Sequence, residues 1–477
     1  MKDYVITSLS LQVGVNEYER RFVWYQPRRF EKARVQYALL SDYERDGGFT
    51  PDNSAIAEGN TNEIFNNKAY RSCKVRVCGL LPGKTYIYRV GCDSEYDIEA
   101  YTFKTLADAR AKQSFFLIGD IHLNVYRRCP ERDTTYINRR WEHLLSRAAR
   151  FEKESDPSYL LSVGDNIAVC NLSDFAYPKK NTPAGVMEYA EAETEEFLAP
   201  KEMKEIAFAT VSGNHDNALV FNKENFGYGG ITGHHYDFPN DDGYSGHYLD
   251  NSSGNFYFSS GELLVVGITA PCDIAPNNEK SCSFAVNRAF IEKAVASHSD
   301  AKWKILINHV PEYSYISYYG PESERFRENF GGLADGLNFD VIFSGHQHAF
   351  SRTHPMVRNE VSKHDYLSEL DENGYRVDTL LNPCGVIHYN VPSAHDHAFY
   401  NRPYPDVPDK LFGSYGITAA AFEGMKTRYP DESARFDGVL YSSPMYTYVS
   451  MKKGEMKIMT VRSDENIPID TLILKKA

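Results

Sequence analysis

The chain of 477 residues is poor in the features that mark membrane, disulfide-rich and nucleic-acid-binding proteins. No apolar run approaches the roughly 20 residues that a membrane helix needs, so we expect no membrane partner. The N-terminus lacks the continuous apolar core of a secretory signal, and we expect a cytoplasmic protein unless a signal has been removed. Acidic residues outnumber basic ones by 65 to 52, and the net charge of −13 argues against nucleic acid as a stable partner.

Cysteines are few and scattered along the chain. None of the eight forms a C-x-x-C pair, which argues against a thiolate zinc site. Cys73 and Cys92 could face each other across a hairpin and form a disulfide. The favoured alternative is reduced, partly buried thiols, because intracellular compartments keep thiols free. The chain also contains no internal repeat and no low-complexity tract.

Residues 1–108 have the pattern of an all-β domain, followed by a linker at 106–112. Apolar and polar residues alternate, as in strands, over 74–78 and 86–90. The leucine, proline and tyrosine spacing between these strands resembles the E-to-F corner of a fibronectin type III sandwich, where a tyrosine hydroxyl pins the loop. Tyr86 would be that tyrosine, and a plain β-hairpin is the alternative.

From residue 113 to 477 strands alternate with helices. Apolar residues recur at helical spacing over 131–153 and 285–297, and a strand is predicted at 303–307. This alternation predicts an α/β domain in which helices cover a layered sheet. The end of the chain, 446–474, returns to alternating strands.

Three stretches lack a clear period and are rich in Gly, Asn, Asp and Tyr. They are residues 171–196, 217–247 and 353–382. We expect long surface loops there, of the kind that often form lids or substrate walls.

The chemistry of the chain is concentrated in five short clusters, each directly after an apolar run. These are Gly119–His122, Gly164–Asn166, Gly213–Asp216, Asn308–His309 and Gly345–His348. The strand ends of an α/β sheet point into one crevice, so these clusters are expected to deliver two Asp, one Asn and four His to one place.

That set of donors suits a pair of metal ions. Carboxylate, amide oxygen and imidazole are ligands that Fe, Zn and Mn all accept. Asp165 is the candidate bridge between the two ions. The first ion would be completed by Asp120, His122 and His348, and the second by Asn214, His309 and His346.

These motifs resemble those of the calcineurin-like metallophosphoesterases, and within them most closely those of the purple acid phosphatases. The family pattern is GDxG, GDxxY, GNH(D/E), a lone His, and GHxH followed by an aromatic and an Arg, as in Gly345–Arg352. The resemblance implies a four-layer β-sandwich flanked by helices, behind a separate N-terminal all-β sandwich. It also implies hydrolysis of phosphate esters by direct attack of a metal-activated water, without a phosphoenzyme.

Two positions depart from the purple acid phosphatase pattern. The metal-binding tyrosine of that subgroup would stand at position 168, where this chain has Ala168. In the first motif His122 replaces a glycine, so the first ion would gain an imidazole. We therefore expect a colourless enzyme that does not need Fe(III).

His215 follows the ligand Asn214 and is the candidate to stabilise the transition state or protonate the leaving group. Asp216 could orient this histidine, or it could be a helix N-cap or turn residue. Arg352 could contact phosphate or form a structural salt bridge, and Asn166 is expected to support its loop. His234, His235, His395 and His397 are expected at the surface or behind the site, and the tyrosines of 313–319 either line its entrance or pack.

The leading interpretation is a phosphomonoesterase with a small-molecule substrate. A phosphodiesterase or nucleotide pyrophosphatase is the alternative, because the same metal pair cleaves both kinds of bond. A binding or adhesion module with an inactive phosphatase-like domain is the interpretation from another class. The natural substrate and the oligomeric state are not encoded in any motif that we recognise.

Overall fold

A computed structural model describes most of the chain. The described residues are 4–64, 67–93, 95–123, 134–152, 157–168, 183–216, 232–240, 254–269, 284–313, 320–330, 332–348, 350–358, 360–362, 364, 366–394 and 444–477. None of the helices within these ranges is long and apolar enough to cross a membrane.

The N-terminal part is built from seven antiparallel strands and one short helix. Its elements are β1 Thr7–Val13, β2 Arg20–Pro27, β3 Ala33–Leu39, α1 Leu40–Asp46, β4 Ser54–Glu63, β5 Tyr70–Val77, β6 Thr85–Gly91 and β7 Tyr101–Lys104. The strands pair in the order β1-β2-β5-β4-β3-β6-β7. They enclose a core that includes Phe22, Trp24, Val35, Tyr88 and Phe103.

The turn between β5 and β6 has the tyrosine contact that the sequence predicts. The backbone N–H of Leu81 donates a hydrogen bond to the Tyr86 hydroxyl at 2.8 Å. This bond holds the loop against the strand that follows it. Cys73 and Cys92 are both buried and both free thiols, so they do not form the disulfide considered above.

The remaining strands of the described residues form two large sheets and one two-stranded sheet. They are β8 Lys112–Ile118, β9 Tyr159–Ser162, β10 Ala207–Thr210, β11 Phe256–Ser260, β12 Leu263–Gly267, β13 Trp303–Ile307, β14 Val341–Ser344, β15 Ser351–Arg352, β16 Met356–Val357, β17 Glu360–Val361, β18 Leu367–Leu370, β19 Arg376–Leu381, β20 Ile387–Asn390, β21 Met445–Lys452, β22 Glu455–Arg462 and β23 Ile467–Lys475. The helices are α2 Thr134–Ala149, α3 Pro183–Leu198, α4 Glu202–Glu205, α5 Thr232–His235, α6 Phe284–Ser297, α7 Gly320–Phe330 and α8 Leu333–Gly336.

The first of these sheets has the order β18-β19-β23-β22-β21-β8-β9-β10, and the second has the order β11-β12-β13-β14-β20-β15. Strands β8, β9 and β10 run parallel to one another, as do β12, β13, β14 and β20. Strand β1 pairs in parallel with β10, which joins the N-terminal strands to the first sheet. The carboxyl ends of the parallel strands in each sheet therefore lie at one edge.

The two sheets face each other and helices cover their outer faces. The rings of Tyr159 in the first sheet and Phe258 in the second lie 5.2 Å apart across the inner layer. Trp141 of α2 stacks on Phe197 of α3 at 5.3 Å, outside the first sheet. Helices α6 and α7 pack on the outer face of the second sheet. This is the expected α/β architecture of two sheets between two helical layers, preceded in the chain by an all-β part.

Several predicted elements are present, and two predicted loops are not loops. Helices α2 and α6, strand β13 and the three C-terminal strands lie where the sequence predicts them. The prediction of a loop at 171–196 is wrong for 183–196, which belong to helix α3. Its buried face includes Glu193 and Thr194. Because these buried residues are polar, the helical spacing of apolar residues cannot be recognised in the sequence.

The prediction of a loop at 353–382 is wrong in the same way. Strand β19 pairs in parallel with β23 and extends the first sheet. Its buried positions hold Asp378 as well as Leu380, so the alternation of apolar and polar residues is lost. In the third stretch, 217–247, only residues 232–240 are described, and they include the short helix α5.

Candidate metal centre

The first group of possible metal ligands lies where β8, β9 and β14 end. Asp120, His122, Asp165 and His348 are buried, and their ligand atoms all lie within 4.8 Å of one another. His122 Nε2 is 3.2 Å from Asp165 Oδ2, and His348 Nε2 is 3.4 Å from Asp120 Oδ1. These are the four side chains that the sequence assigns to the first metal.

The second group shares Asp165 with the first. Ligand atoms of Asp165, His309 and His346 lie within 4.8 Å of one another. His309 Nε2 is 3.3 Å from Asp165 Oδ2. Asn214 joins this group, because its Oδ1 is 3.0 Å from His309 Nε2 and 2.9 Å from His346 Nδ1. The structure thus brings all seven predicted ligands together.

The backbone at these positions has an uncommon conformation. Five of the seven candidate ligands are non-glycine residues with positive φ: Asp120 (50°), His122 (45°), Asp165 (56°), His346 (70°) and His348 (57°). This left-handed region is unfavourable for residues other than Gly and persists only where surrounding contacts enforce it. Sharp turns at the strand ends therefore aim these side chains inward.

A glycine makes room for the shared carboxylate. A Cβ atom added at Gly213 would lie 2.1 Å from Asp165 Oδ1. No real side chain can come so close, so any other residue at this position would displace Asp165. The glycine of the third motif is therefore required by its close packing against Asp165.

The electrostatics of the site call for added positive charge. Burial raises the pKa of Asp120 to about 8, and the Asp165 carboxylate adds to that rise. Burial also acts to raise the pKa of Asp165, but His309, His215 and His122 hold it well below its usual range. Burial acts to lower the pKa of His309, yet Asp165 raises it to about 10. Cations between these groups would balance the two buried carboxylates.

A hydrogen bond to the backbone fixes the orientation of the His309 ring. Its Nδ1 lies 2.8 Å from the carbonyl oxygen of Val163, to which it donates. This leaves Nε2 facing Asn214 and Asp165 as a ligand atom. The donor set of carboxylate, amide oxygen and imidazole fits Zn, Mn or Fe, as the sequence predicts.

Comparison with known proteins identifies this part of the chain. Residues 114–350 match the family model of the calcineurin-like phosphoesterases. They form a calcineurin-like phosphoesterase domain. The match spans all five motifs and the strands that carry them. A search of curated proteins found no match.

Comparison with solved structures gives matches at low sequence identity, and the first of them shares the fold. A purple acid phosphatase, PPD1 from yellow lupin (Lupinus luteus) seeds, has 13% identity and a TM-score of 0.62, over 99% of this chain and 75% of that one. GAP50 of Plasmodium, the anchor in the inner membrane complex, has 13% identity and a TM-score of 0.39, over 76% and 88%. A dimetal phosphatase from Danio rerio has 10% identity and a TM-score of 0.37, over 77% and 100%.

His215 lies beside the shared carboxylate of the phosphoesterase domain. Its Nε2 is 4.0 Å from Asp165 Oδ2, and its backbone N–H donates to Asp165 Oδ1 at 2.7 Å. Its Nδ1 lies 3.1 Å from the carbonyl oxygen of Ala168. Because a carbonyl oxygen can only accept, Nδ1 is the donor in this bond, and Nε2 is the nitrogen that faces the site.

Asp216 acts on the backbone and not on His215. Its carboxylate accepts hydrogen bonds from the N–H groups of Gly213, Asp165, Asn166 and Ile167, at 2.7 to 3.2 Å. Within the described residues no hydrogen bond joins it to the His215 side chain. Of the two roles that the sequence allows, its contacts are those of a turn residue, and it ties the second motif to the third.

Asn166 and Arg352 also have structural contacts. The Asn166 side chain donates to Thr210 and accepts from Ser162, as expected of a residue that supports its loop. Arg352 is fully buried and donates to Asp470 and Asp378, so it forms the structural salt bridge and not a phosphate contact.

The remaining histidines and tyrosines lie away from the ligand groups or outside the described residues. His235 is buried between β2 and α3, where it stacks on Tyr25 at 4.4 Å and bonds to Glu191 at 2.7 Å. The expectation of a surface or supporting site residue is wrong for it. Tyr313 is buried against His388 with ring centroids 4.5 Å apart, so it packs. His395, His397 and residues 314–319 lie outside the described residues.

Two residues that support the site were not predicted. The Ser393 hydroxyl donates to the backbone carbonyl of Asp120 at 2.8 Å. Glu193 of α3 is fully buried, and its carboxylate accepts the N–H of Ala168 at 2.9 Å. Neither lies in a motif, and no period in the sequence marks either one.

Proposed function

We propose that this protein hydrolyses phosphate monoesters with two metal ions held by the seven side chains of the candidate metal centre. The observation that carries the proposal is the position of Asp165, which belongs to both groups of ligand atoms. One carboxylate within reach of two groups of ligands is the arrangement that a dinuclear site needs. The acid phosphatase activity named for the yellow lupin protein supports the monoester as substrate.

Each part of the site has a role in this reaction. When bound, two metal ions would polarise the phosphoryl group and lower the pKa of a water molecule. Asp120, His122 and His348 would hold one of them, and Asn214, His309 and His346 the other. His215 stands next to the shared Asp165 with Nε2 toward the site, where it can give a proton to the departing alkoxide.

Residue 168 bears on the choice of metal. Ala168 is buried and has no phenolate to offer to ferric iron. We therefore propose that the enzyme works with divalent ions and is colourless. Purified metal-loaded protein should show no visible charge-transfer band, and such a band would contradict this assignment.

The substrate class is tested by comparing p-nitrophenyl phosphate with bis(p-nitrophenyl) phosphate. The protein is stripped of metal and then reloaded with Zn²⁺, Mn²⁺ or Fe²⁺ in turn. We expect the monoester to be hydrolysed faster with at least one metal, and Asp165→Asn to abolish hydrolysis. Asp93→Asn is the matched control, because this exposed aspartate lies in the N-terminal part.

The other outcomes identify the alternatives. Faster hydrolysis of the diester, or of a nucleotide pyrophosphate bond, would replace the proposal by a phosphodiesterase or pyrophosphatase. No hydrolysis of any ester with any of the three metals would favour a binding module with an inactive phosphatase-like domain.

A further inference from the structure

Residue 168 makes its hydrogen bonds through its backbone. The alanine side chain ends at Cβ and cannot hydrogen-bond, but both backbone polar groups of Ala168 are engaged. Its N–H donates to Glu193 Oε2 at 2.9 Å, and its carbonyl oxygen lies 3.1 Å from His215 Nδ1. A chain of contacts therefore leads from Glu193 through Ala168 to His215.

Glu193 is a fully buried carboxylate. It is on helix α3 and has 0% of its surface exposed, and Ala190 and Phe197, on the same face, are buried too. A carboxylate in such a place is costly unless it accepts hydrogen bonds. Glu193 accepts the backbone N–H of Ala168 at 2.9 Å, and such a bond to an ionised carboxylate is about twice as strong as a neutral one.

The direction of the His215 ring depends on the Ala168 carbonyl. A histidine that donates from Nδ1 to a fixed acceptor keeps its other nitrogen pointing one way. The Asp216 carboxylate, next along the chain, is occupied by four backbone N–H groups. The carbonyl oxygen of residue 168 thus anchors the imidazole, and Glu193 anchors the backbone of residue 168.

We propose that Glu193 is a positioning residue for His215. By fixing Ala168, it keeps Nδ1–H of His215 bonded to the carbonyl and keeps Nε2 facing Asp165 and the leaving group. This rests on the proposed function in one respect, that His215 is the proton donor to the leaving group.

The test compares Glu193→Leu, Glu193→Ala and Glu193→Gln in the full-length, metal-loaded protein. Leu fills the volume of the side chain without an acceptor, so it tests the bond even if Glu193→Ala fails to fold. Gln keeps an acceptor oxygen and should restore function. Glu195→Ala is the matched control, because this glutamate is exposed two residues away on the same helix.

Two readouts separate positioning from a merely structural role. We expect Glu193→Leu to lower kcat on an alkyl phosphate by about 10- to 100-fold, as for other residues that orient a site from behind. The loss on p-nitrophenyl phosphate, whose leaving group hardly needs a proton, should be much smaller, and KM and metal content should not change. In ¹⁵N-histidine-labelled protein, the signals of His215 should show Nδ1–H in the wild type and a mixture of tautomers in Glu193→Leu.

The result that overturns the proposal is a folded, metal-loaded Glu193→Leu with wild-type tautomer signals and the wild-type ratio of rates on the two esters. Equal loss in Glu195→Ala would overturn it as well. The tautomer measurement needs no activity, so it tests Glu193 even if the wild-type protein hydrolyses neither ester. In that case the proposed function fails on its own.

Discussion

The N-terminal strands and the carboxyl edge of the two inner sheets are built on opposite principles. In the described part of residues 4–104, a single non-glycine residue, Ser8, has positive φ, whereas five of the seven candidate ligands do. The N-terminal core is made mainly of apolar and aromatic side chains. The edge instead buries two aspartates and four histidines beside one another.

This difference separates residues that stabilise the fold from residues that take part in the proposed reaction. Strained backbone and buried charge both lower stability, and they persist where the surrounding structure enforces them and function selects them. Substitutions in the N-terminal core should therefore change the free energy of unfolding and leave turnover intact. Substitutions at the edge should change turnover much more than stability.

After the loss of hydrolysis in Asp165→Asn, the largest expected effect is that of His215→Ala on turnover. Removal of a general acid typically lowers the rate by about 10² to 10⁴, and we expect this loss on alkyl phosphates. The loss on p-nitrophenyl phosphate should be smaller, and metal content should stay at the wild-type level. Steady-state kinetics on the two esters measures it. Equal turnover of variant and wild type would remove the acid role and weaken the contrast between the regions.

Trp24→Ala should have the opposite effect, a loss of stability with unchanged turnover. Trp24 is fully buried in the N-terminal core, and such truncations cost about 3–5 kcal/mol. Chemical denaturation should show this loss, while kcat per folded, metal-loaded molecule stays unchanged. Leu81→Ala, which removes a half-exposed side chain, should have little effect on either quantity. A large fall in kcat for Trp24→Ala would mean that the two regions are not independent.

The sequence predicts the metal-binding edge well, but it does not predict every element that surrounds it. The five motifs follow apolar strands, and parallel strands end at one edge, so the convergence of Asp120, Asp165 and their partners could be predicted. Helix α3 and strand β19 could not, because Glu193 and Asp378 are polar residues at buried positions. Their partners, the Ala168 N–H and Arg352, lie far away in the sequence. Hydrogen bonds between distant segments leave no periodic trace.

The buried Glu312 should make the free energy of unfolding depend on pH. Burial raises its pKa to about 8, whereas an unfolded glutamate titrates near pH 4.3. Because the folded pKa is the higher one, the stabilising contribution is complete below about pH 4 and is lost as the pH rises through about 8. Glu312→Gln should therefore gain stability relative to the wild type between pH 5 and 9, by on the order of 4 kcal/mol.

Urea denaturation of both proteins across this pH range measures the effect. Exposed Glu369 offers a control, since Glu369→Gln should run parallel to the wild type. A constant difference between Glu312→Gln and the wild type at all pH values would show that Glu312 does not titrate with the expected shift.

Tyr86→Phe should have the smallest effect. It removes the hydroxyl that accepts the Leu81 N–H, and one such bond contributes about 0.5–1.5 kcal/mol. Thermal unfolding should show a small decrease in Tm with no change in kcat. A destabilisation as large as that of Trp24→Ala would show that this corner does far more than fix its loop.

The central claim is that one carboxylate serves two ions, and metal stoichiometry tests it most directly. After reloading and extensive dialysis, elemental analysis of the wild type should give two ions per chain, and Asp93→Asn should match it. Asp165→Asn should retain fewer than one, because its amide has one neutral oxygen, whereas the carboxylate offers two oxygens and a negative charge to the two groups of ligands. Two ions in Asp165→Asn, or at most one in the wild type, would contradict the account.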